Sequence, residues 1–347
     1  MYIKKILVLV LMLGLVAASI FSYYVYTAIF TPNTAFNNDE AYLYIPSGAS
    51  FSEVEEMITP LVLDLEKFVA VAKQKGYTTN VKSGKYRIPQ GANNNTIVNA
   101  LRSSNVPVRV AFNNQETLAD LAGRIATQIE PDSIELLQAF TDASFLKANG
   151  FTAENGLSVY LPNTYEFFWN TSAVQFRDRM LKEYNTFWNS ERLKKAEHLG
   201  LSTNEVIALA AIVHKETVKI EERPRVAGVY MNRIKRGMLL QADPTVIYAI
   251  KKQSGNFDTV IKRVLYKDLE IDSPYNTYKY AGIPPGPIAM PDISAIDAVL
   301  NYEQHKYLYF VADVSNFGYH MFASTLAQHN RNKAQYVNWV NKQRINR

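Results

Sequence analysis

Residues 202–217 read STNEVIALAAIVHKET, and this stretch predicts a buried helix that ends at a candidate catalytic acid. Ser202 and Glu205 have the spacing of a capping box, in which each side chain binds the other residue's backbone N–H. The run at 206–213 is apolar throughout, so the helix is expected to lie in a core. Glu216 follows where that helix reaches the surface. A carboxylate held there loses hydration, which raises its pKa toward the value that a general acid needs.

The composition excludes several classes of protein. The chain has 347 residues, of which 48% are apolar and 20% charged, enough for one large or two moderate domains. Its formal net charge of +5 comes without a Gly-rich phosphate loop or an Arg-dense helix. That charge therefore suits an anionic surface or polymer better than DNA. The lack of cysteine excludes disulfides, thiolate nucleophiles and cysteine-ligated zinc.

The polar residues indicate neither a nucleophilic triad nor a metal site. There is no Gly-x-Ser-x-Gly elbow, and the five histidines lack the context of a triad. No His-Glu-x-x-His occurs, and His214 and Glu216 are two residues apart, which places them on different faces of a helix. The sequence therefore predicts no metal and no cofactor, and acid-catalysed cleavage of a glycosidic bond remains.

Five ordered motifs carry a resemblance to a known family. They are IVHKET (212–217), ERPRVAGVYMNRIKRGMLLQADPTVIY (222–248), SPYNTYKYAGIPPGPI (273–288), YLYFVAD (307–313) and FASTLAQHN (322–330). From about Tyr42 to the C-terminus the chain resembles the endolytic murein transglycosylases, the MltG or YceG-like family of membrane-anchored peptidoglycan lyases. That family often carries Glu where this chain has His214, so the catalytic role carries over more directly to Glu216.

The resemblance implies that Glu216 acts first as general acid and then as general base. It would protonate the oxygen between MurNAc and GlcNAc and then deprotonate the MurNAc C6 hydroxyl, which closes a 1,6-anhydro ring without water. A hydrolytic muramidase would instead need a second carboxylate. Asp243 is the nearby motif carboxylate that would serve it. The alternative role of Asp243 is an N-cap, with Pro244 at the first helical position.

Four further polar residues are candidates for hydrogen bonds to sugar hydroxyl and N-acetyl groups, together with Asp243. They are Asn232, Gln241, Asn276 and Tyr278. Each has a structural alternative, because amides also tie helices to loops and satisfy buried backbone groups. The segment at 282–288, with three prolines and two glycines, is expected to form a rigid cleft loop.

Residues 156–169 (GLSVYLPNTYEFFW) pack five aromatic residues into fourteen positions. This composition fits a sugar-binding wall, in which rings stack on pyranose faces and amides bind hydroxyls. Asn163 and Tyr165 are the candidate contacts. The alternative is a turn that packs into the core.

The N-terminus predicts a membrane anchor. Lys4 and Lys5 precede an uncharged stretch from residue 6 to residue 30, roughly long enough to span ~30 Å of hydrocarbon. A cleaved signal peptide is the alternative, since residues 17–19 (AAS) resemble a cleavage site. The apolar run continues past that site to an aromatic cluster at 23–26, which favours an uncleaved anchor with the lysines in the cytoplasm.

The predicted fold is α+β, with a short β-hairpin near the C-terminus. It comprises a cytoplasmic tail (1–5), a transmembrane helix (6–30), a linker (31–40), a small LysM-like α/β module (41–112) and a mainly helical, lysozyme- or transglycosylase-like catalytic domain (113–347). Whether the module binds glycan or is a plain spacer stays open. The resemblance places the chain in the bacterial inner membrane with the catalytic domain outside the cytoplasm.

Two classes of function follow. The first is a lyase that cuts nascent glycan strands internally, with membrane-bound peptidoglycan polymerases as possible partners and no nucleic acid. The second is a catalytically silent peptidoglycan-binding scaffold for cell-wall synthases. A scaffold should tolerate Glu216→Gln, whereas the lyase should lose turnover.

Overall fold

The computed structural model describes residues 2–342 and divides into two compact units. Unit 1 comprises the residues up to Val110 together with Gln128–Pro131 and Tyr165–Ser172. Unit 2 comprises Ala111–Thr127, Asp132–Thr164 and the residues from Ala173 onward. Unit 1 thus takes in two short segments from the middle of the chain. The sequence-based boundary near residue 112 assumed a contiguous module and did not anticipate them.

Within residues 2–342 the fold is α+β, as predicted. The helices are α1 (Tyr2–Phe30), α2 (Phe51–Ile58), α3 (Leu65–Gln74), α4 (Asn94–Ser103), α5 (Leu118–Ala126), α6 (Ser133–Phe140), α7 (Ala143–Ala148), α8 (Ala173–Phe187), α9 (Ser190–Leu199), α10 (Thr203–Glu216), α11 (Arg223–Lys235), α12 (Asp243–Ser254), α13 (Ile293–Leu300) and α14 (Leu326–Lys342). The strands are β1 (Glu40–Ile45), β2 (Gly84–Pro89), β3 (Pro107–Phe112), β4 (Asn163–Phe168), β5 (Tyr309–Ala312) and β6 (His320–Ala323). Each strand pairs with one other, as β1–β2, β3–β4 and β5–β6.

Unit 1 is built on the antiparallel pair β1–β2, in which Glu40 lies opposite Pro89 and Ile45 opposite Gly84. In β1, Leu43 and Ile45 are buried whereas Tyr42 and Tyr44 are exposed, as the two-residue period of a half-buried strand requires. Helices α2, α3 and α4, strand β2 and the end of α1 contribute further residues to this apolar core. Unit 1 therefore has a hydrophobic core of its own.

Helix α1 is long and apolar enough to cross a membrane, with a mean hydropathy of 2.5 over its most apolar window. Its C-terminal end joins unit 1, because Ala28 is buried there and its carbonyl accepts a hydrogen bond of 2.8 Å from Asn94 Nδ2. Asn33 is also buried and donates to the Asp64 carbonyl at 2.9 Å. The segment at 31–40, expected to be a linker, therefore packs into unit 1. The Asn33 side chain satisfies backbone groups inside the unit, a use that composition alone does not reveal.

Unit 2 is organised around α10, whose residues 206–213 are all buried. The Ser202–Glu205 capping box is present, so the predicted start of this helix is confirmed. Helices α9, α11, α12 and α13 pack around α10. An all-apolar helix needs such cover on every side. The packing leaves the last turn of α10, which ends at Glu216, at the edge of the helical cluster.

The predicted C-terminal hairpin is confirmed as β5–β6, in which Tyr309 lies opposite Ala323 and Ala312 opposite His320. Helix α14 packs against both strands. The hairpin also contacts α11, since the rings of Phe310 and Tyr230 meet edge-on with centroids 5.9 Å apart. This contact brings β5 close to the residues that surround Glu216.

Candidate active site

Glu216 is the last residue of α10, and Thr217 after it already has an extended backbone. The side chain is half-buried. Tyr230 of α11 is buried and donates a hydrogen bond of 2.7 Å from its hydroxyl to Glu216 Oε1. Loss of hydration raises the pKa of Glu216 to about 7, although the Tyr230 hydrogen bond opposes this rise. Near neutral pH the carboxyl group can thus both donate and accept a proton.

Asp243 is the second carboxylate in electrostatic reach of Glu216, and its charge helps to raise the Glu216 pKa. Its Oδ1 accepts a hydrogen bond of 2.6 Å from the Tyr278 hydroxyl. The predicted N-cap role of Asp243 is wrong. Helix α12 begins at Asp243 itself, the capping position is Ala242, and no side chain caps the helix. The carboxylate is exposed and directed to Tyr278, because the turn before α12 places Asp243 one position inside the helix.

Arg233 is a buried guanidinium beside the site, with only 7% of its surface exposed. Its Nε donates to the Leu308 carbonyl at 2.7 Å. Its Nη1 donates to the carbonyls of Leu239 and Leu240 at 3.1 and 2.8 Å, and to Gln241 Oε1 at 3.3 Å. The charge of Arg233 lowers the Glu216 pKa. Arg233 therefore builds the turn at 239–241 and makes the catalytic candidate more acidic than burial alone would leave it.

Gln241 is the one non-glycine residue with a left-handed backbone among residues 2–342, at a φ of 51°. A side chain held there carries strain, which folds tolerate mainly at functional sites. The turn is held by Arg233 and by a hydrogen bond of 3.1 Å from Gln241 N to the Thr277 carbonyl. The side chain of Gln241 is exposed. Gln241 therefore stays a candidate for substrate binding.

Asn232 joins α11 to the segment before β5. Its Nδ2 donates to the carbonyls of His305 and Tyr307, at 2.8 and 3.0 Å. Both amide hydrogens thus have backbone acceptors, and Asn232 Oδ1 is the atom left for a substrate. The geometry favours the alternative in which this amide ties a helix to a loop.

Asn276 is fully buried. Its Nδ2 donates to the carbonyls of Leu269 and Ile271, each at 2.8 Å, and its Oδ1 accepts from the Tyr278 backbone N–H at 3.0 Å. The amide therefore folds the loop that carries Tyr278. It acts on the site through Tyr278, whose hydroxyl reaches Asp243.

The aromatic segment at 156–169 divides into two parts. Residues 156–161 are buried, and the Tyr160 ring packs on Phe140 with centroids 4.7 Å apart, so this part is a turn in the core. Asn163 and Tyr165 follow in β4, with Asn163 exposed and Tyr165 half-buried. Asn163 belongs to unit 2, with Glu216, and Tyr165 to unit 1.

The predicted cleft loop at 282–288 is anchored within unit 2. A Cβ atom on Gly286 would lie 1.9 Å from the Glu154 carbonyl oxygen, so only glycine fits. The Glu154 carboxylate accepts a hydrogen bond of 2.8 Å from the buried Tyr275 hydroxyl. These contacts fit the prediction of a rigid loop with a structural role and no reactive group.

His214 lies in the last turn of α10, in a cluster with Arg223 and Asp292. Its Nδ1 is 3.2 Å from Arg223 Nη2 and 3.3 Å from Asp292 Oδ2. Burial is the main cause that lowers the His214 pKa. A neutral ring can accept from Arg223, which itself donates to Asp292 at 2.9 Å. The cluster ties α10 to α11 and α13.

Two residues beside Glu216 were not predicted from the sequence, namely Tyr230 and Arg233. Tyr230 lies in an apolar helical stretch, where a buried hydroxyl must find a polar partner. That rule signals that Tyr230 has a partner, but it does not identify Glu216. Three of the four acceptors of Arg233 are backbone carbonyls, which no side-chain pattern can indicate.

The comparisons with known proteins agree with the motifs. The YceG-like family model matches residues 43–335. An endolytic murein transglycosylase of Bacillus subtilis (strain 168) is 31% identical over 317 residues, which cover 86% of this chain and 85% of that protein. A protein of the same name from Streptococcus pneumoniae serotype 2 (strain D39) is 30% identical over 328 residues. Those residues cover 85% of this chain but 58% of the streptococcal protein, so the chain spans little more than half of that relative.

A solved structure is also similar. The YceG-like protein of Listeria monocytogenes has a TM-score of 0.57 and 28% sequence identity, covering 85% of this chain and 99% of that chain. The similarity therefore extends over nearly all of that structure.

Proposed function

Since the chain belongs to the YceG-like family, we propose that it is a membrane-anchored lytic transglycosylase that cuts peptidoglycan strands internally. The observation that carries the proposal is the Glu216 carboxyl group, whose pKa is raised to about 7. The names of the relatives from Bacillus subtilis and Streptococcus pneumoniae support the same enzyme class.

In the proposed reaction, protonated Glu216 donates its proton to the oxygen that joins MurNAc C1 to GlcNAc. The C1–O bond breaks, and the GlcNAc fragment leaves with a hydroxyl group. The Glu216 carboxylate then takes the proton from the MurNAc C6 hydroxyl, whose oxygen bonds to C1 and closes the 1,6-anhydro ring. No water is consumed, and Glu216 ends protonated. Tyr230 occupies Oε1, so Oε2 is the oxygen expected to carry the transferred proton.

The N-terminal helix supports the proposed location. α1 would cross the bacterial inner membrane once, with Lys4 and Lys5 in the cytoplasm and the catalytic unit outside. Strands under synthesis lie at that surface, so the membrane-bound polymerases that make them are the proposed protein partners. The direct test is to incubate the full chain in detergent with purified peptidoglycan and analyse the fragments by mass spectrometry. Fragments one water lighter than hydrolytic products are expected.

The rate should depend on pH through Glu216. Cleavage needs the protonated acid, so kcat/KM should fall about tenfold per pH unit above the Glu216 pKa of about 7. Tyr230→Phe removes a hydrogen bond that lowers this pKa, so the alkaline limb should move to higher pH. Tyr280→Phe is the control, because the Tyr280 hydroxyl binds Asp272. A rate that stays flat between about pH 6 and pH 9 would contradict the assignment of Glu216 as the acid.

A hydrolytic muramidase is the second candidate, and the position of Asp243 favours it. An exposed carboxylate in electrostatic reach of the acid is what a glycoside hydrolase uses to activate water or to stabilise the sugar cation. Tyr278 orients this carboxylate.

Asp243→Asn separates the two candidates, since Asn can still accept the Tyr278 hydrogen bond. For the lyase, we expect anhydro products and a rate reduced by less than about tenfold. The measurement is mass spectrometry of fragments formed in ¹⁸O-labelled water. The muramidase would be established instead by two results together. The fragments that the unmodified protein releases would carry ¹⁸O in their new reducing ends, and Asp243→Asn would no longer cleave.

A further inference from the structure

A buried carboxylate and a histidine lie directly behind the end of α10. Glu222 has 4% of its surface exposed. Its Oε1 accepts from the His320 backbone N–H at 2.8 Å, and its Oε2 lies 2.8 Å from His320 Nδ1. Because a carboxylate oxygen is an acceptor, Nδ1 must carry the hydrogen. Glu222 and His320 come from the turn before α11 and from β6, so the pair joins two distant parts of unit 2.

The pair reaches Glu216 on one side through the backbone. Thr217, which follows Glu216, is buried, and its hydroxyl donates to Glu222 Oε2 at 3.1 Å. The same hydroxyl oxygen accepts from the Lys219 N–H at 3.1 Å. The last residues of a helix lack intrahelical partners for their carbonyls and fray unless something holds them. Glu222 therefore fixes the chain where the proposed acid leaves the helix.

On the other side the pair reaches Glu216 through packed rings. The His320 ring meets Phe310 edge-on with centroids 5.0 Å apart. Phe310 packs in the same way on Tyr230, at 5.9 Å, and Tyr230 donates to Glu216 Oε1 at 2.7 Å. The backbone and the carboxyl group of Glu216 are thus both held by contacts that start from the Glu222–His320 pair.

We propose that Glu222 and His320 are positioning residues for Glu216, which hold its carboxyl group in the orientation that proton transfer requires. This inference rests on the proposed function. A misplacement of about 1 Å in a reacting group can cost about 10²-fold in rate, because proton transfer depends steeply on geometry. Burial of a carboxylate is unfavourable unless it is fully paired. Three donors, namely the Thr217 hydroxyl and the backbone N–H and Nδ1 of His320, bind the Glu222 carboxylate and hold it rigidly.

The chain contains a matched control one residue away. Glu221 accepts a hydrogen bond from the Tyr319 hydroxyl, so it joins the same two segments as Glu222 and His320 do. Glu221 is exposed, however, and the carboxylate that the Thr217 hydroxyl binds is that of Glu222. A substitution at Glu221 therefore tests the attachment of the β5–β6 hairpin without removing the contacts of the Glu222–His320 pair.

The experiment compares Glu222→Gln, His320→Ala, His320→Asn and the control Glu221→Gln in the full chain, with kcat and KM measured on purified glycan strands. Glu222→Gln replaces one acceptor oxygen by an NH₂ group, which would face a donor hydrogen of Thr217 or His320. We expect kcat to fall about 10- to 100-fold in Glu222→Gln and His320→Ala, with KM within about twofold. His320→Asn should recover part of kcat, because its amide can donate from the position of Nδ1. Glu221→Gln should match the unmodified protein.

Thermal unfolding of each variant shows whether it is folded at the assay temperature. The proposal is overturned if the folded variants of the pair lose no more kcat than Glu221→Gln does, or if KM changes in place of kcat. Glu216→Gln in the same assay separates this failure from that of the proposed function. An active Glu216→Gln would overturn both. An inactive Glu216→Gln beside unaffected variants of the pair would overturn only the positioning role.

Discussion

Glu216→Gln is expected to reduce strand cleavage by about 10²- to 10⁴-fold, the range that a positioned general acid supplies. Gln matches the shape of Glu and can still accept the Tyr230 hydrogen bond, but its amide has no acidic proton to transfer to the leaving oxygen. In the proposed reaction the same residue also removes the proton from the C6 hydroxyl, so both steps should fail. The measurement is the release of soluble fragments from purified peptidoglycan by the two full chains, followed by mass spectrometry.

Two controls make this result specific. Glu221→Gln removes an exposed carboxylate a few residues away and should cleave at the normal rate. Thermal unfolding should show that Glu216→Gln is at least as stable as the unmodified protein, because a neutral amide replaces a carboxyl group that burial disfavours in its charged form. A variant that keeps full cleavage would contradict the assignment of Glu216. If neither the unmodified protein nor Glu216→Gln cleaved peptidoglycan but both bound it, the scaffold function would be favoured.

The elements that the sequence predicts best are those whose cause is local. The Ser202–Glu205 capping box and the apolar run that follows specify α10 from neighbouring residues alone. The alternation of β1 and the hairpin of β5 and β6 are local in the same sense. The position of Glu216 near the end of α10 follows from these rules, since the helix continues for only three residues beyond the apolar run, which ends at Val213.

What could not be predicted depends on distant contacts. The N-cap prediction for Asp243 failed because the preceding turn, which Arg233 holds through the carbonyls of Leu239 and Leu240 and the side chain of Gln241, moves the helix start by one residue. The segment at 31–40 looks like a linker by composition, yet Asn33 closes hydrogen bonds to Asp64 across unit 1. In both cases a side chain binds backbone carbonyls six or more residues away, which leaves no periodic signal.

The second large effect is expected for Arg233→Met, which should reduce the stability of the fold. Arg233→Met keeps most of the side-chain volume but removes the donors to the carbonyls of Leu308, Leu239 and Leu240. Two or more buried carbonyls left without a donor, at about 1–3 kcal/mol each, should lower the free energy of unfolding by about 3 kcal/mol or more. The measurement is denaturant unfolding of the full chain in detergent. Arg236→Met, an exposed arginine just beyond α11, is the control and should change stability by less than about 0.5 kcal/mol.

Arg233→Met should also shift the pH dependence of catalysis, which a loss of stability alone would not do. The charge of Arg233 lowers the Glu216 pKa, so its removal should move the alkaline limb of the pH profile to higher pH in the molecules that stay folded. The strained turn at Gln241 should also relax, because its side-chain oxygen loses the Nη1 donor. Normal stability together with an unchanged pH profile would show that neither the hydrogen bonds nor the charge of Arg233 supports the site. A loss of stability with an unchanged pH profile would limit Arg233 to building the turn that places Asp243 opposite Tyr278.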